Sequence, residues 1–158
     1  MRQVSSGDRD DLALVLDLVR DAFAYMDDRI DPPSSVHRLT IDELASPPGE
    51  VWVIGSPPVA CMVATPRTDV LYLGKMAVRS VLRGEGYSRR LVEQADRRAR
   101  EIGLTWLELE ARIELVENHR TFEALGFEAL GFEEVGRTAH PGFSSPTSVT
   151  FRRRVASP

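Results

Sequence analysis

Cysteine is almost absent from this 158-residue sequence, and long apolar stretches are missing as well. These absences exclude several classes of protein. The single thiol, Cys61, allows no internal disulfide and is typical of a reducing compartment. It lies in the apolar run 59–63, which favours a buried structural thiol over a nucleophile. No apolar stretch approaches the roughly 18 residues of a membrane span. Aspartates stand at positions 8, 10 and 11, where a secretory signal would need an apolar core. These features predict a cytoplasmic protein with no membrane partner.

Positive charge is not in excess either. The formal net charge is −4 and the sequence pI is about 5.4, so a footprint for nucleic acid is not expected. Arginines do cluster at 89–90, at 97, 98 and 100, and at 152–154. These clusters are interpreted as solvated surface, and the alternative is that one of them binds an anionic ligand. The length and the 42% hydrophobic content predict one domain, over residues 1–158, with a substantial core.

Seven short apolar segments predict strands. Their predicted bounds are 2–6, 51–54, 59–64, 70–78, 104–109, 133–136 and 147–153. The second and third form an antiparallel hairpin, and the last two close around the turn at His140. Strands 70–78 and 104–109 are separated by a helix and are expected to lie parallel. The fold class is therefore α/β (α+β), with a single mixed, mostly antiparallel sheet flanked by helices.

Two helices are predicted before the hairpin. Apolar residues recur with helical spacing over 12–26, and Asp8 is the expected N-cap. The prolines at 32 and 33 then interrupt the chain. Ser34 or Ser35 is expected to cap a second, short helix that runs to about Ala45.

The connection after strand 70–78 carries the clearest functional signal. It reads Arg-Gly-Glu-Gly-Tyr-Ser over 83–88, and two glycines two residues apart let a ligand approach the backbone. The amphipathic helix that follows, which Gly103 is expected to end, points its unpaired N–H groups and its positive dipole end toward the turn. A pyrophosphate site is favoured, and an ordinary strand-to-helix connection is the alternative. The third glycine of a dinucleotide fingerprint and the Gly-Lys-Ser/Thr of a P-loop are both missing.

A repeat follows the strand 104–109. Residues 122–126 and 127–131 are the same pentapeptide, Phe-Glu-Ala-Leu-Gly. Five residues turn a helix by about 500°, so the second copy cannot continue the apolar stripe of the first. The duplication is interpreted as a longer helix or a bulged loop, and a reshaped pocket wall is the alternative.

The strand, the glycine turn and the segment 117–127 together resemble a GNAT-superfamily N-acetyltransferase. The first family motif joins a strand ending in Val to Arg/Gln-x-x-Gly-x-Gly/Ala, and Val78 and Arg83 have its spacing. Ser80 replaces a common proline, and Ser88 stands at the usual Gly/Ala position. In the second motif Asn118 would open a helix that Leu-Gly-Phe at 125–127 would close. The motifs cover about the last half of the chain, and the first half matches in element order.

The resemblance implies acetyl transfer from acetyl-CoA to a primary amine of an unidentified small molecule, peptide or protein. Strands 70–78 and 104–109 would splay apart to admit the pantetheine chain. The implied donor-binding residues are Met76, Ala77, Val78, Arg83, Gly84, Glu85, Gly86, Tyr87, Ser88 and Asn118. Asn118 is alternatively a plain helix N-cap. Residues 31–35 would line the acceptor site. A homodimer is a common assembly in the family, and the oligomeric state stays open.

The groups that move protons are less evident. The amine must react neutral, and the departing thiolate needs a proton. Many family members use a tyrosine on the second-motif helix, but Tyr25, Tyr72 and Tyr87 all lie elsewhere. The catalytic candidates are Tyr72, Glu110 and His140, and Glu108 shares a strand face with Glu110. Each has a plainer interpretation, as a packed tyrosine, a solvated strand glutamate or an exposed turn histidine. No metal site is predicted, and a catalytically silent acyl-CoA-binding or sensor domain is the alternative function, with an unrelated nucleotide-binding module as a third.

Overall fold

Seven strands form one mixed sheet in the computed structural model, which describes residues 1–24, 27–114 and 122–156. The strands are β1 (Arg2–Val4), β2 (Glu50–Ile54), β3 (Ala60–Pro66), β4 (Val70–Val78), β5 (Trp106–Arg112), β6 (Glu133–Thr138) and β7 (Ser148–Arg154). Their order across the sheet is β1-β2-β3-β4-β5-β7-β6. Neighbouring strands are antiparallel except β4 and β5, which are parallel. The predicted mixed, mostly antiparallel sheet is confirmed.

The helices of the described ranges lie near their predicted positions, but their bounds need two corrections. They are α1 (Arg9–Phe23), α2 (Ile41–Ala45), α3 (Tyr87–Glu101) and α4 (Phe122–Ala129). Asp8 caps α1 by accepting the Asp11 N–H at 3.1 Å, as expected. The single helix predicted from Ser34 or Ser35 to about Ala45 is wrong. A 3-10 turn over Ser35–Arg38, capped by Ser34, is followed by α2, which Thr40 caps.

The physical reason for this break is local. Leu39 and Thr40 both have extended backbone between the two short elements. Each short element has its own capping side chain: Ser34 accepts the Val36 N–H at 3.2 Å, and Thr40 accepts the Glu43 N–H at 3.2 Å. These side-chain hydrogen bonds compete with a continuous helical hydrogen-bond ladder across Leu39 and Thr40.

Each face of the sheet has its own apolar core. α1 and α2 cover one face, where Leu12, Val15 and Val19 pack against β2 and β3. Cys61 is fully buried in that core, and its burial raises the pKa of the thiol to about 12. The prediction of a buried structural thiol is therefore confirmed. No helix of the described ranges is long and apolar enough to cross a membrane.

α3 and α4 cover the opposite face. Leu91, Val92, Ala95 and Ala99 of α3 pack against β3, β4 and β5. Phe127 of α4 and Leu130, just after that helix, pack against the same core. Asp96, which is buried, accepts a hydrogen bond from the Ala156 N–H at 3.1 Å and pairs with Arg153. Asp96 therefore ties α3 to the end of β7.

The repeated pentapeptide forms one helix. α4 runs through Gly126 and closes at Gly131, which has φ +87° and donates to the Glu128 carbonyl at 2.9 Å. The expectation that Leu-Gly-Phe at 125–127 closes the helix is wrong, because the same tripeptide at 130–132 does so. Phe127 contacts Phe132 and Phe151 at ring-centroid distances of 6.3 and 5.6 Å. The continued helix therefore places the Phe127 ring against two other aromatic side chains. The interpretation as a longer helix is confirmed.

Candidate active site

The parallel strands β4 and β5 pair over only part of their length. Their register joins Val70 to Trp106, Leu71 to Leu107 and Tyr72 to Glu108. Beyond those pairs β4 continues to Val78 and β5 to Arg112, and within the described residues the two strands do not pair again. A cleft therefore opens inside the sheet, closed at Tyr72 and Glu108 and open at the carboxyl ends of the two strands.

A bulge bends β4 beside this cleft. Gly74 pairs with Val63 and Ala77 with Cys61, so Lys75 and Met76 together oppose a single residue of β3. Lys75 has φ +50°, a left-handed conformation that is uncommon outside glycine. An inserted residue bends a strand and increases its twist, which turns β4 away from β5. The Lys75 ammonium donates to the Ser35 hydroxyl at 3.0 Å, and burial lowers its pKa.

The glycine turn lies beyond the open end of the cleft. Gly84 and Gly86 have φ +82° and +87°, which only glycine adopts without strain. Gly86 is the N-cap of α3, and no side chain caps that helix, whereas Asp8 caps α1 and Thr40 caps α2. The first turn of α3 also contains no acidic residue. The first N–H groups of α3 are thus left without an internal anion, as a phosphate site requires.

The other predicted donor-binding residues are distributed around this path. Met76, Ala77 and Val78 end β4; Ala77 is buried on the α1 side, whereas Met76 and Val78 pack on the α3 side. The Arg83 guanidinium donates to the Ala22 carbonyl at 3.2 Å, so it reaches toward the end of α1. Glu85 is exposed between the two glycines, and Tyr87 and Ser88 begin α3. Asn118 lies outside the described residues.

Tyr72 and Glu110 come together at the closed end of the cleft. Burial and the neighbouring charge of Glu110 raise the pKa of Tyr72 to about 12, although the Arg67 guanidinium lies 4.0 Å above its ring centroid. Glu108 and Glu110 share one face of β5, since alternate strand residues point the same way. Glu108 is 8% exposed and pairs with Arg152 at 3.1 Å. Glu110 is exposed, and within the described ranges it forms no ion pair.

His140 lies apart from these two residues. Its backbone N–H donates to the Thr147 hydroxyl at 2.8 Å, and its Nδ1 contacts the same oxygen. Thr147 precedes Ser148, which pairs with Arg112. Along β5 that position is about 13 Å from Glu108, the partner of Tyr72. The structure therefore groups Tyr72 with Glu110 and leaves His140 at the other end of β5.

Sequence reasoning missed two charged residues at that end. Arg112 donates to the carbonyl oxygens of Pro32 and Pro33, the latter at 3.1 Å, and Glu114 accepts the Asp31 N–H at 2.8 Å. The predicted strand ended at Leu109, but β5 extends to Arg112. The alternation of Glu108, Glu110 and Arg112 on one face is the signal that would have revealed Arg112.

Solved acetyltransferases have the same fold. An aminoglycoside 6′-N-acetyltransferase complexed with coenzyme A has 17% sequence identity and a TM-score of 0.69, covering 100% of this chain and 99% of its own. Ard1 from Thermoplasma volcanium has 17% identity and a TM-score of 0.71, with 99% and 97% covered. An acetyltransferase of the GNAT family from Staphylococcus aureus has 13% identity and a TM-score of 0.69, with 98% and 99% covered.

No curated protein sequence matches this chain. The model of the acetyltransferase (GNAT) family, however, matches residues 14–127, which is more than half of the chain. That stretch contains the bulged strand β4, the glycine turn and all of α3. The chain therefore belongs to the acetyltransferase (GNAT) family.

Proposed function

We propose that this protein, a single domain over residues 1–158, is an N-acetyltransferase that moves the acetyl group of acetyl-CoA to a primary amine. The observation that carries the proposal is the cleft between β4 and β5, which runs from Tyr72 toward an uncapped helix N-terminus. An extended chain with amide groups fits a gap of this kind, because β4 offers it the backbone hydrogen bonds that a strand would use.

The donor would occupy the whole length of the cleft. In this proposal the backbone of Met76 and Val78 pairs with the amides of the pantetheine arm, and the turn 83–88 holds the pyrophosphate. The support for the pyrophosphate is electrostatic: the free N–H groups of α3 carry the positive end of the helix dipole. Arg89 and Arg90, exposed on the first turn of α3, add positive charge nearby.

Glu110 and Tyr72 are the proposed proton-transfer groups. Glu110 takes a proton from the acceptor ammonium, and the neutral amine nitrogen then bonds to the thioester carbonyl carbon as the C–S bond breaks. The second amine proton passes to solvent water, and the departing sulfur gains a proton either from Tyr72, which solvent then reprotonates, or directly from water. A phenol with a pKa of about 12 remains protonated at neutral pH and can therefore donate to that sulfur. His140 is kept as the third candidate and would act at the Arg112 end of β5.

Release of CoA with different acceptors tests the proposal. Acetyl-CoA binding is measured by calorimetry, and free thiol is measured with small amines, peptides and a protein offered as acceptors. We expect binding together with acceptor-dependent thiol release. Binding without release for any acceptor would instead identify a silent acyl-CoA-binding domain. Thermal protection by ATP or NAD, with none by acetyl-CoA, would contradict any role for acetyl-CoA.

The cellular setting is also a proposal. We place the protein in the cytoplasm, which agrees with its single free and buried thiol. The net charge of −4 favours a cationic amine as acceptor over nucleic acid. A membrane partner is not proposed, and whether the protein forms a homodimer is left to measurement of its mass in solution.

A further inference from the structure

The segment at 31–33 and the end of β5 are complementary in their hydrogen-bonding groups. Asp31 supplies the last backbone N–H before two prolines, which offer carbonyl oxygens and no N–H. Glu114 accepts that N–H, and Arg112 donates to both proline carbonyls. The contacts fasten this segment to β5, two residues beyond Glu110.

Each of these two side chains keeps one polar atom unused. Nη1 of Arg112 and Oε1 of Glu114 are buried, and no hydrogen-bond partner for either exists within the described residues. Buried polar atoms in native proteins are nearly always paired, so such atoms call for an explanation. One atom is an N–H donor and the other is a carboxylate acceptor. A group that both accepts and donates hydrogen bonds would satisfy them together.

Arg112 is the next residue after the proposed base on its face of β5. Glu110 and Arg112 point to the same face of β5 and are separated by roughly 6.6 Å along the strand. Two neighbouring cations are already engaged, since Arg152 pairs with Glu108 and Arg67 covers the ring of Tyr72. An acceptor whose amine lies at Glu110 therefore has Arg112 as its next neighbour along this face, and Glu114 follows two residues later.

We infer that the acceptor carries an amide next to its reactive amine, as an amino-acid amide or the N-terminus of a peptide does. This inference rests on the proposed function. The amide carbonyl accepts from Arg112 Nη1, and the amide N–H donates to Glu114 Oε1. A free amino acid satisfies Arg112 but brings its carboxylate against Glu114. A simple alkylamine satisfies neither atom.

Binding of matched amines to the CoA-loaded protein tests the inference. The first series is phenylalaninamide, phenethylamine and phenylalanine; the second is lysinamide, cadaverine and lysine; glucosamine represents amino sugars. We expect an amide to bind at least about tenfold more tightly than its matched amine and free acid, since each new hydrogen bond involves a charged group. Equal affinity within both series, or tighter binding of glucosamine, would overturn the inference.

Variants of the two residues separate recognition from support of the fold. Glu114→Gln keeps an oxygen for the Asp31 N–H, and Arg112→Lys keeps the charge but loses the planar fork. Both are expected to reduce the amide preference to about threefold or less, while affinity for the matched amine stays unchanged. The control Arg9→Gln removes an exposed positive charge on α1 and should leave the preference intact.

Two further outcomes are decisive. Equal loss of affinity for the amide and the amine in both variants would show that Arg112 and Glu114 only hold the segment 31–33, and would overturn the inference. The titrations are repeated without CoA, so amide preference is measured whether or not CoA binds. Failure of CoA to bind would contradict the proposed function, but the amide preference measured without CoA would still test the inference.

Discussion

Two glutamates on the same face of β5 have different surroundings, and the difference decides which one can act as a base. Glu108 is buried and neutralised by Arg152, so a proton on its carboxylate would break an ion pair. Glu110, the next residue on that face, is exposed, and its charge raises the pKa of Tyr72. We therefore propose Glu110 rather than Glu108 as the group that takes the proton.

Replacement of Glu110 tests that assignment. Glu110→Gln removes the charge at nearly constant shape, and we expect kcat at pH 7 to fall by roughly 100-fold. The loss should shrink as the pH approaches the pKa of the acceptor amine, because the free amine no longer needs a base. The measurement is a pH–rate profile beside Glu93→Gln, an exposed glutamate on α3. An unaltered profile would remove Glu110 from consideration.

The proposed pyrophosphate site can be tested by comparing substitutions of two glycines, Gly86 at the N-terminus of α3 and Gly103 after its C-terminus. Gly86 and Gly103 have φ +87° and +78°, and neither has an atom within 4 Å of an added Cβ, so Asp has a similar backbone cost at each. Gly86→Asp, however, puts a negative charge where the pyrophosphate is proposed to bind. We expect Gly86→Asp to abolish measurable acetyl-CoA binding in calorimetry, whereas Gly103→Asp keeps it. Similar affinities in the two variants would contradict the pyrophosphate site.

At the scale of single elements, the repeat in α4 can be tested by deleting one of its two copies. Because the copies are identical, deleting 127–131 gives the same protein as deleting 122–126. The remaining copy can keep the contacts of Phe127 with Phe151 and the left-handed glycine at the helix end. The helix is then shortened at its N-terminal end, away from Phe127 and Gly131.

We therefore expect the deletion protein to fold. Its thermal midpoint should stay within a few degrees of the intact protein, since the buried aromatic contacts are retained. Phe132→Ala is the contrasting variant: Phe132 is 1% exposed, and its truncation should cost about 3–5 kcal/mol of unfolding free energy. Loss of soluble protein on deletion alone would show that both copies are structurally required.

The elements with strong local signals were predictable from the sequence. β4 has its predicted bounds, and α3 ends at Glu101 with Gly103 just after its C-cap, because apolar patterning and a terminal glycine are local properties. The break between Ser35–Arg38 and α2, the left-handed Lys75 and the extension of β5 to Arg112 were not predictable. Lys75 and Arg112 depend on contacts with distant segments, Lys75 with Ser35 and Arg112 with Pro33. The break depends on which polar residues of 34–40 cap a helix, and several could do so. The glycine turn was accordingly easier to predict than the side-chain contacts at the end of β5.

For the molecule as a whole, burial of two acidic groups predicts sensitivity to alkali. Burial raises the pKa of Cys61 from 9.0 to about 12, and burial also raises that of Tyr72. The folded protein therefore holds protons that the unfolded chain releases as the pH rises above about 9. The free energy of unfolding should fall through that range, by about 1.4 kcal/mol per pH unit for Cys61.

Urea unfolding of Cys61→Ala checks this expectation. Below pH 8 the variant and the original protein should lose stability with pH in parallel. Between pH 9 and 10.5 the slope of the variant should be shallower, because the buried thiol no longer contributes. Identical slopes over that range would contradict a strongly raised thiol pKa.

The short ladder between β4 and β5 also affects how the protein behaves in solution. Beyond Tyr72, β4 has an edge that no strand of the described residues covers, although it lies in the middle of the sheet. Uncovered strand edges can pair with other chains and promote aggregation. A donor bound along this edge would cover it and stabilise the folded state by mass action. Acyl-CoA supply would then determine how long the protein stays soluble at high concentration, as well as how fast it works.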